Sequence, residues 1–212
     1  MSLILIVFVF VVVRVTTDVP AILDGSSPPE ADFGRRYADN PVIAYAHIIP
    51  GVIYLLGAPF QLSSRFRNSD FARHRRLGRV VLTAGAITGA FALVVGLVMP
   101  FGGLAEASAS TVFGVYFLVA LGTAYSAIRS GDTGRHRRWM IRAFALGIAV
   151  GLIRVVVGLV ESFGVTMADS FGAAFWIAFV VMAIMAEIWL RLRPTADIVP
   201  RIKVRRGDAE PS

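Results

Sequence analysis

Cysteine is absent from all 212 residues, and lysine is reduced to Lys203 alone among 21 basic residues. The first absence excludes disulfides, thiolate-held iron–sulfur clusters, covalent c-type haem and lipoprotein acylation, while leaving b-type haem open. The second is a codon-usage hint of a GC-rich bacterium. Histidine is scarce too: His47, His74 and His136 are scattered, which is poor material for a zinc site. No nucleophile–base pair or paired carboxylate is visible, so an enzyme is the least supported class.

Charge is sparse at 17% of residues, against 56% hydrophobic residues and a mean hydropathy of +0.70. Such a chain is too apolar for a water-soluble domain, and its apolar residues fall in blocks of membrane-spanning length. The expected fold is all-α: a polytopic bundle of about six transmembrane helices at 2–15 (or on to 23), 41–61, 78–99, 109–129, 139–161 and 170–191. Lipid offers no partner to open backbone groups, which favours helices. Segment 24–40 reads as an extracytoplasmic loop, with Ser26-Ser27-Pro28-Pro29 irregular within it. Residues 41–193 read as the bundle, and 194–212 as a disordered basic tail.

Arginine sets the expected orientation. Of the 21 basic residues, six lie in 65–79, five in 129–142 and six in 191–206, and none lies in 100–108 or 162–169. The positive-inside rule puts both termini in the cytoplasm of a bacterial inner-membrane protein. The net charge of +7 is then a topology signal, and no aromatic-interleaved basic surface points to nucleic acid. The first helix is the exception to this regularity. Leu3–Val13 is too short to span unless the helix continues past a snorkelling Arg14, and a signal peptide or a mis-set start are rival readings.

The chain contains an internal duplication. Arg73-His74-Arg75-Arg76 recurs as Arg135-His136-Arg137-Arg138, and at the same 62-residue offset Tyr54 meets Tyr116, Gly85 meets Gly147, Gly89 meets Gly151 and Val94-Val95-Gly96-Leu97 meets Val156-Val157-Gly158-Leu159. The repeat is a helical hairpin, 45–102 and 107–164, with glycines at matched places where helices can approach closely.

Polar residues inside the apolar blocks are functional candidates by default. His47, beside the backbone break expected at Pro50, and Arg154 lie at similar depths. Glu161 follows Arg154 at i+7, so these three are expected to line an outward-opening cavity. The alternative is that Arg154 holds the bundle together through carbonyl hydrogen bonds. Towards the other side lie Gln61 and Glu187, the latter either ion-paired with Arg142 or Arg191 or acting as a proton-relay carboxylate. The twin basic runs, with His74, Arg75, Arg76, Arg79, His136, Arg137, Arg138 and Arg142, are expected to precede helix N-termini. There they form either an anionic-lipid headgroup site or plain topogenic charge. No cofactor is expected. His74 and His136 would be the ligands if b-type haem were bound.

The run His136-Arg137-Arg138-Trp139-Met140-Ile141-Arg142-Ala143-Phe144-Ala145-Leu146, followed by Leu152-Ile153-Arg154, resembles the hallmark of the bacterial membrane proteins grouped as domain of unknown function 2306. His47, Gln61 and His74-Arg75-Arg76-Leu77-Gly78-Arg79 fit as well, and the resemblance covers about residues 40–190. It implies a multi-helix inner-membrane protein and assigns no catalytic residue. Together these observations point to a non-enzymatic protein that binds an anionic lipid or small ligand, or assists assembly of membrane components. Haem redox and small-molecule transport are the alternatives. The expected partners are anionic membrane lipids, with homo-oligomers or other membrane proteins possible in principle.

The orientation is directly measurable. Reporter fusions after Arg67 and Arg135 are expected to report cytoplasm and those after Gly103 and Gly164 the exterior; a cytoplasmic signal at Gly103 overturns the topology.

Overall fold

In the computed structural model, which describes residues 2–26 and 33–193, eight α-helices and no strands occur among those residues. Six are long and apolar enough to cross a membrane: α1 (Ser2–Asp24), α3 (Pro41–Leu62), α5 (Phe71–Val98), α6 (Gly103–Arg129), α7 (Thr133–Glu161) and α8 (Met167–Leu192). Two short helices join them, α2 (Arg35–Asp39) and α4 (Ser64–Ser69). The tail 194–212 and the Ser27-Pro28-Pro29 turn lie outside the described residues.

Four helices begin earlier than the apolar blocks: Phe71, Gly103, Thr133 and Met167 replace the expected 78, 109, 139 and 170. Hydropathy marks only the length that lipid can cover, whereas capping chemistry sets where a helix starts. Asp70 accepts from the Arg73 amide at 2.8 Å and Asp132 from the Arg135 amide at 2.8 Å, so the duplication includes its caps. The Arg73 amide, helped by the Arg73 charge, holds the Asp70 carboxyl below its ordinary pKa. The basic runs therefore sit inside the first turns of α5 and α7 rather than ahead of them.

α1 continues through Pro20 to Asp24, so its 23 residues, at about 1.5 Å each, reach the thickness of a bilayer core. Arg14 does not snorkel. It is 6% exposed and donates to Asp18, itself 1% exposed, at 3.1 Å one turn away.

α3 packs along α5 and α6 along α7, the two repeat units, with α5 also against α6 and α8 against α6 and α7; α1 lies mainly on α7. The repeats differ where their sequences differ. Ser63 ends α3 and its hydroxyl accepts from the Phe66 amide, starting α4, while the matching position in the second repeat is Tyr125 and α6 runs on to Arg129. There Gly131, at φ +82°, closes α6: its amide donates to the Ile128 carbonyl, and the Asp132 amide to that of Ala127. Asp132 then caps α7, which makes the turn as short as a helical hairpin allows.

Glycines carry the close packing. A Cβ at Gly85 would lie 2.8 Å from the Tyr54 ring, at Gly147 2.8 Å from the other edge of the same ring, at Gly89 2.8 Å from Phe117 and at Gly151 2.6 Å from the Leu3 carbonyl. All four face neighbouring helices. The repeat is not symmetric in this respect throughout, because a Cβ at Gly96 would sit 2.4 Å from that of Ser110, while its counterpart Gly158 has nothing within 4 Å. Replacing Gly96 by leucine is expected to cost about 1–3 kcal/mol through overpacking, and the same change at Gly158 less than about 0.5 kcal/mol. Denaturation of the two variants in mixed micelles makes the comparison.

Candidate functional site

The two ends of the bundle differ in chemistry. The end holding both Arg-His-Arg-Arg runs is here the basic end, and the end where α2, the α5–α6 connection and the start of α8 meet is the aromatic end.

At the aromatic end Phe33 is nearly fully buried at the centre of a ring cluster. Its centroid lies 5.3 Å from Phe101, 5.4 Å from Phe171, 5.6 Å from Tyr37 and 6.3 Å from Phe10. Three guanidiniums stand over the same ring: Arg154 at 5.1 Å, Arg36 at 5.2 Å and Arg14 at 5.5 Å. Arg154 also lies 3.8 Å from the Phe10 centroid and Arg36 4.4 Å from that of Phe101. Ring faces are the right surface for a cation removed from water, with about 2 kcal/mol available per desolvated contact. Arg36 Nη1 further donates to the Met99 carbonyl at 2.9 Å, satisfying the frayed end of α5. Burial pushes the Tyr37 phenol above its ordinary pKa, against the pull of Arg154 and Arg36, and keeps it protonated.

Glu106 supplies the carboxylate. One of its oxygens accepts the amides of Phe101 at 2.5 Å and Gly102 at 2.7 Å, capping α6. The expected carboxylate, Glu161, is exposed at the last residue of α7 and takes no part. Same-face spacing placed it correctly on the helix but two turns too far along the axis, beyond the ring cluster.

Beneath the ring cluster lies a cavity of about 210 Å³ between α1, α3, α5, α6, α7 and α8. Its polar lining includes His47, Thr88, Glu106, Ser110, Arg14, Arg154 and Tyr37, so His47 and Arg154 do share one chamber. Its apolar walls are Phe113, Phe117, Phe175, Phe179 and Leu146, with Gly51, Gly89 and Gly147 where helices crowd it.

His47 is held from α5. Its Nδ1 lies 3.0 Å from the Thr88 carbonyl oxygen, and the Thr88 hydroxyl lies 2.7 Å from the His47 carbonyl oxygen and 3.1 Å from Nδ1. Tyr54, two turns along α3, also belongs to the lining, and its hydroxyl is buried with no hydrogen-bond partner among the described residues. A Cβ at Gly51 would come within 3.0 Å of the Thr88 hydroxyl, so the small residue is what lets threonine reach across.

The other sequence candidates gather at the basic end. His74 stacks on Phe71 at 6.0 Å and presents an edge to Phe66 at 6.5 Å, with Nδ1 buried and unpartnered among the described residues. His136 Nδ1 lies 2.8 Å from the Ala124 carbonyl oxygen. Gln61 faces Gly78 and leaves its Nε2 buried without a partner there. Arg75, over the Phe71 ring at 5.4 Å, is exposed with Arg76 and Arg79, whereas Arg137 and Arg138 are half-buried. Arg142 pairs with Glu187 through two hydrogen bonds of 2.5 and 3.1 Å and stacks on Trp139 at 4.7 Å. Glu187 thus has the ion-pair role, with Arg142 rather than Arg191 as the partner. The anions nearest the two helix N-termini are the protein's own, Asp70 and Asp132.

Sequence reasoning missed Asp18, Glu106, Thr88 and the ring cluster. Asp18 had a signal, its i+4 spacing from Arg14 on a potential helix; Thr88 had none, because its partner is on another helix. Among the described residues no group of three or more His, Asp or Glu side chains is placed to hold a metal ion.

A six-span helical membrane protein with a polar, ring-capped chamber inside the bundle is the class these features define. Residues 44–190 match the family described as predicted membrane protein (DUF2306), and the chain belongs to that family. No curated protein and no solved structure matches it significantly. The matched region contains His47, Thr88, Glu106 and Arg154, whereas α1 and α2, which contribute Phe10 and Tyr37 to the ring cluster, precede it.

The Arg142–Glu187 pair has a measurable strength. Glu187 is 38% exposed, which lets solvent screen the pair, so a double-mutant cycle with Arg142→Ala and Glu187→Ala is expected to give a coupling of about 1 kcal/mol in unfolding free energy.

Proposed function

We propose that this protein binds a small, largely apolar molecule inside the bundle, in the chamber beneath Phe33. The observation that carries this reading is the coexistence around one 210 Å³ space of aromatic walls and a few convergent polar groups, His47 and Thr88 together with Arg14, Arg154 and Glu106. Ligand sites have this composition: apolar lining for affinity, few polar groups for orientation. Packing alone would favour filling such a space, since an empty cavity costs roughly 24 cal/mol per Å³. Placed by the positive-inside rule, with both termini cytoplasmic in the inner membrane, the chamber lies in the outer half of the bilayer. A ligand would reach it from the membrane or from the exterior side.

Anionic lipid at the basic runs is the weaker reading, because Asp70 and Asp132 occupy the helix-end amides and Glu187 takes Arg142. The exposed Arg75, Arg76 and Arg79 suit topogenic charge.

Ala92 and Val150 both line the chamber, so Ala92→Phe or Val150→Phe is expected to fill it. Small molecules that co-purify with the wild type, identified by mass spectrometry of solvent extracts, should be lost from both variants. The wild type should also lose thermal stability on delipidation more than they do. Identical extracts from all three proteins overturn the binding role.

A further inference from the structure

The hydrogen bonds around His47 define what kind of molecule its ring can receive. The Thr88 carbonyl oxygen can only accept, so the 3.0 Å contact to Nδ1 is favourable only when Nδ1 carries the proton. The Thr88 hydroxyl has one proton, and its shortest contact, 2.7 Å, is to the His47 carbonyl oxygen, which also only accepts. Both bonds are made together in one arrangement: Nδ1–H donates to the Thr88 carbonyl and the Thr88 hydroxyl donates to the His47 carbonyl. The opposite tautomer would set two lone pairs against each other at 3.0 Å. Nε2 is then the ring's bare nitrogen, an acceptor with no protein donor among the described residues, on a side chain lining the chamber.

We infer that the chamber is specific for a neutral hydroxyl donor on an aromatic ring, a phenol, whose O–H is donated to His47 Nε2. The inference rests on the ligand-binding reading above and adds the chemical class. A bare imidazole nitrogen repels an anion and gives nothing to a ketone or ether, but it accepts readily from a phenol. Tyr54 lies two turns further along the same face of α3 and adds to the aromatic lining. Phe113, Phe117 and Phe175 give ring faces and edges for an aromatic body. Size agrees: a dry cavity of about 150 Å³ takes up benzene, so 210 Å³ accommodates a ring with one or two short substituents.

The test compares 4-propylphenol with 4-propylanisole, in which a methyl group replaces the hydroxyl hydrogen and removes the donor, on the full-length protein in nanodiscs. Binding is counted as the calorimetric signal in excess of the cavity-filled Ala92→Phe variant, which removes partitioning into lipid. The phenol is expected to bind roughly tenfold tighter than the ether, the worth of one buried neutral hydrogen bond. That preference should vanish in His47→Phe and persist in His47→Gln, whose amide oxygen also accepts. Equal affinity for phenol and ether, both abolished in Ala92→Phe, overturns the phenol inference and leaves ligand binding standing. Binding of neither above the filled variant overturns both. Nitrogen-15 NMR of histidine-labelled protein, in a His74→Asn, His136→Asn background, gives an independent check: a protonated Nε2 with a bare Nδ1 also overturns the inference.

Discussion

A guanidinium removed from water is costly, by about 2.5–3.5 kcal/mol at the centre of a bilayer, and three of them here, from α1, α2 and α7, meet over one phenyl ring. Phe33 is therefore the place where α1, α2 and α7 are tied to one another, and through Phe101 and Phe171 to the α5–α6 connection and α8. A cation over a ring needs no single directional bond, so one ring can serve several arginines approaching from different sides. The carboxylates are arranged to the same end: Asp18 holds Arg14 from within α1, and Glu106 caps α6 beside Arg36 and Arg154. Remove the ring and the charges would have to find water, which would open the chamber they now roof.

That arrangement also explains what α1 does. Its buried polar residues are Arg14 and Asp18, the Thr16 and Thr17 hydroxyls are spent on carbonyls one turn back, and its apolar side chains are largely exposed, as lipid contact requires. Leu3 enters the groove left by Gly151 on α7, while Val7, Phe10 and Arg14 form one side of the chamber. The helix is a wall fixed at both ends, by shape near one membrane face and by charge and ring contacts near the other. The family match begins at residue 44, so α1 and α2 contribute to the chamber from outside the matched region.

The number and order of the long helices were legible from hydropathy, because lipid imposes a length that composition must meet. Four glycine contacts, at Gly85, Gly89, Gly147 and Gly151, were legible from the repeat, whereas the matched Gly158 meets no neighbour. What failed to show were interactions between elements. A charge in an apolar stretch, such as Asp18, reads as a loop signal until its partner one turn away is recognised. Glu161 and Glu106 were indistinguishable in kind; axial position decides between them, and periodicity carries angle but not depth. The caps Asp70 and Asp132 were visible letters whose meaning depended on where the helices begin, which hydropathy sets several residues too late. Gln61, His74 and Arg137 were rightly placed at one end, yet their surroundings follow from α4 and the α6–α7 turn, which depend on Ser63 and Gly131.

The duplication itself accounts for the chamber's position and not for its chemistry. At the 62-residue offset, Thr88 corresponds to Val150 and Leu55 to Phe117, and all four line the same space, which places it where the two halves face each other. Two identical hairpins would surround such a space with identical groups. Here the counterpart of His47 is the fully buried Ala109, and that of Arg154 is Ala92, which lines the wall opposite. Each half thus carries a polar residue where the other has alanine, so that the repeat contributes one imidazole, from His47, and one guanidinium, from Arg154, while Arg14 enters the lining from α1 outside the repeat. Symmetric hairpins close a bundle economically, and the departure from symmetry at these few positions makes the chamber polar on the His47 and Arg154 sides and apolar at their counterparts.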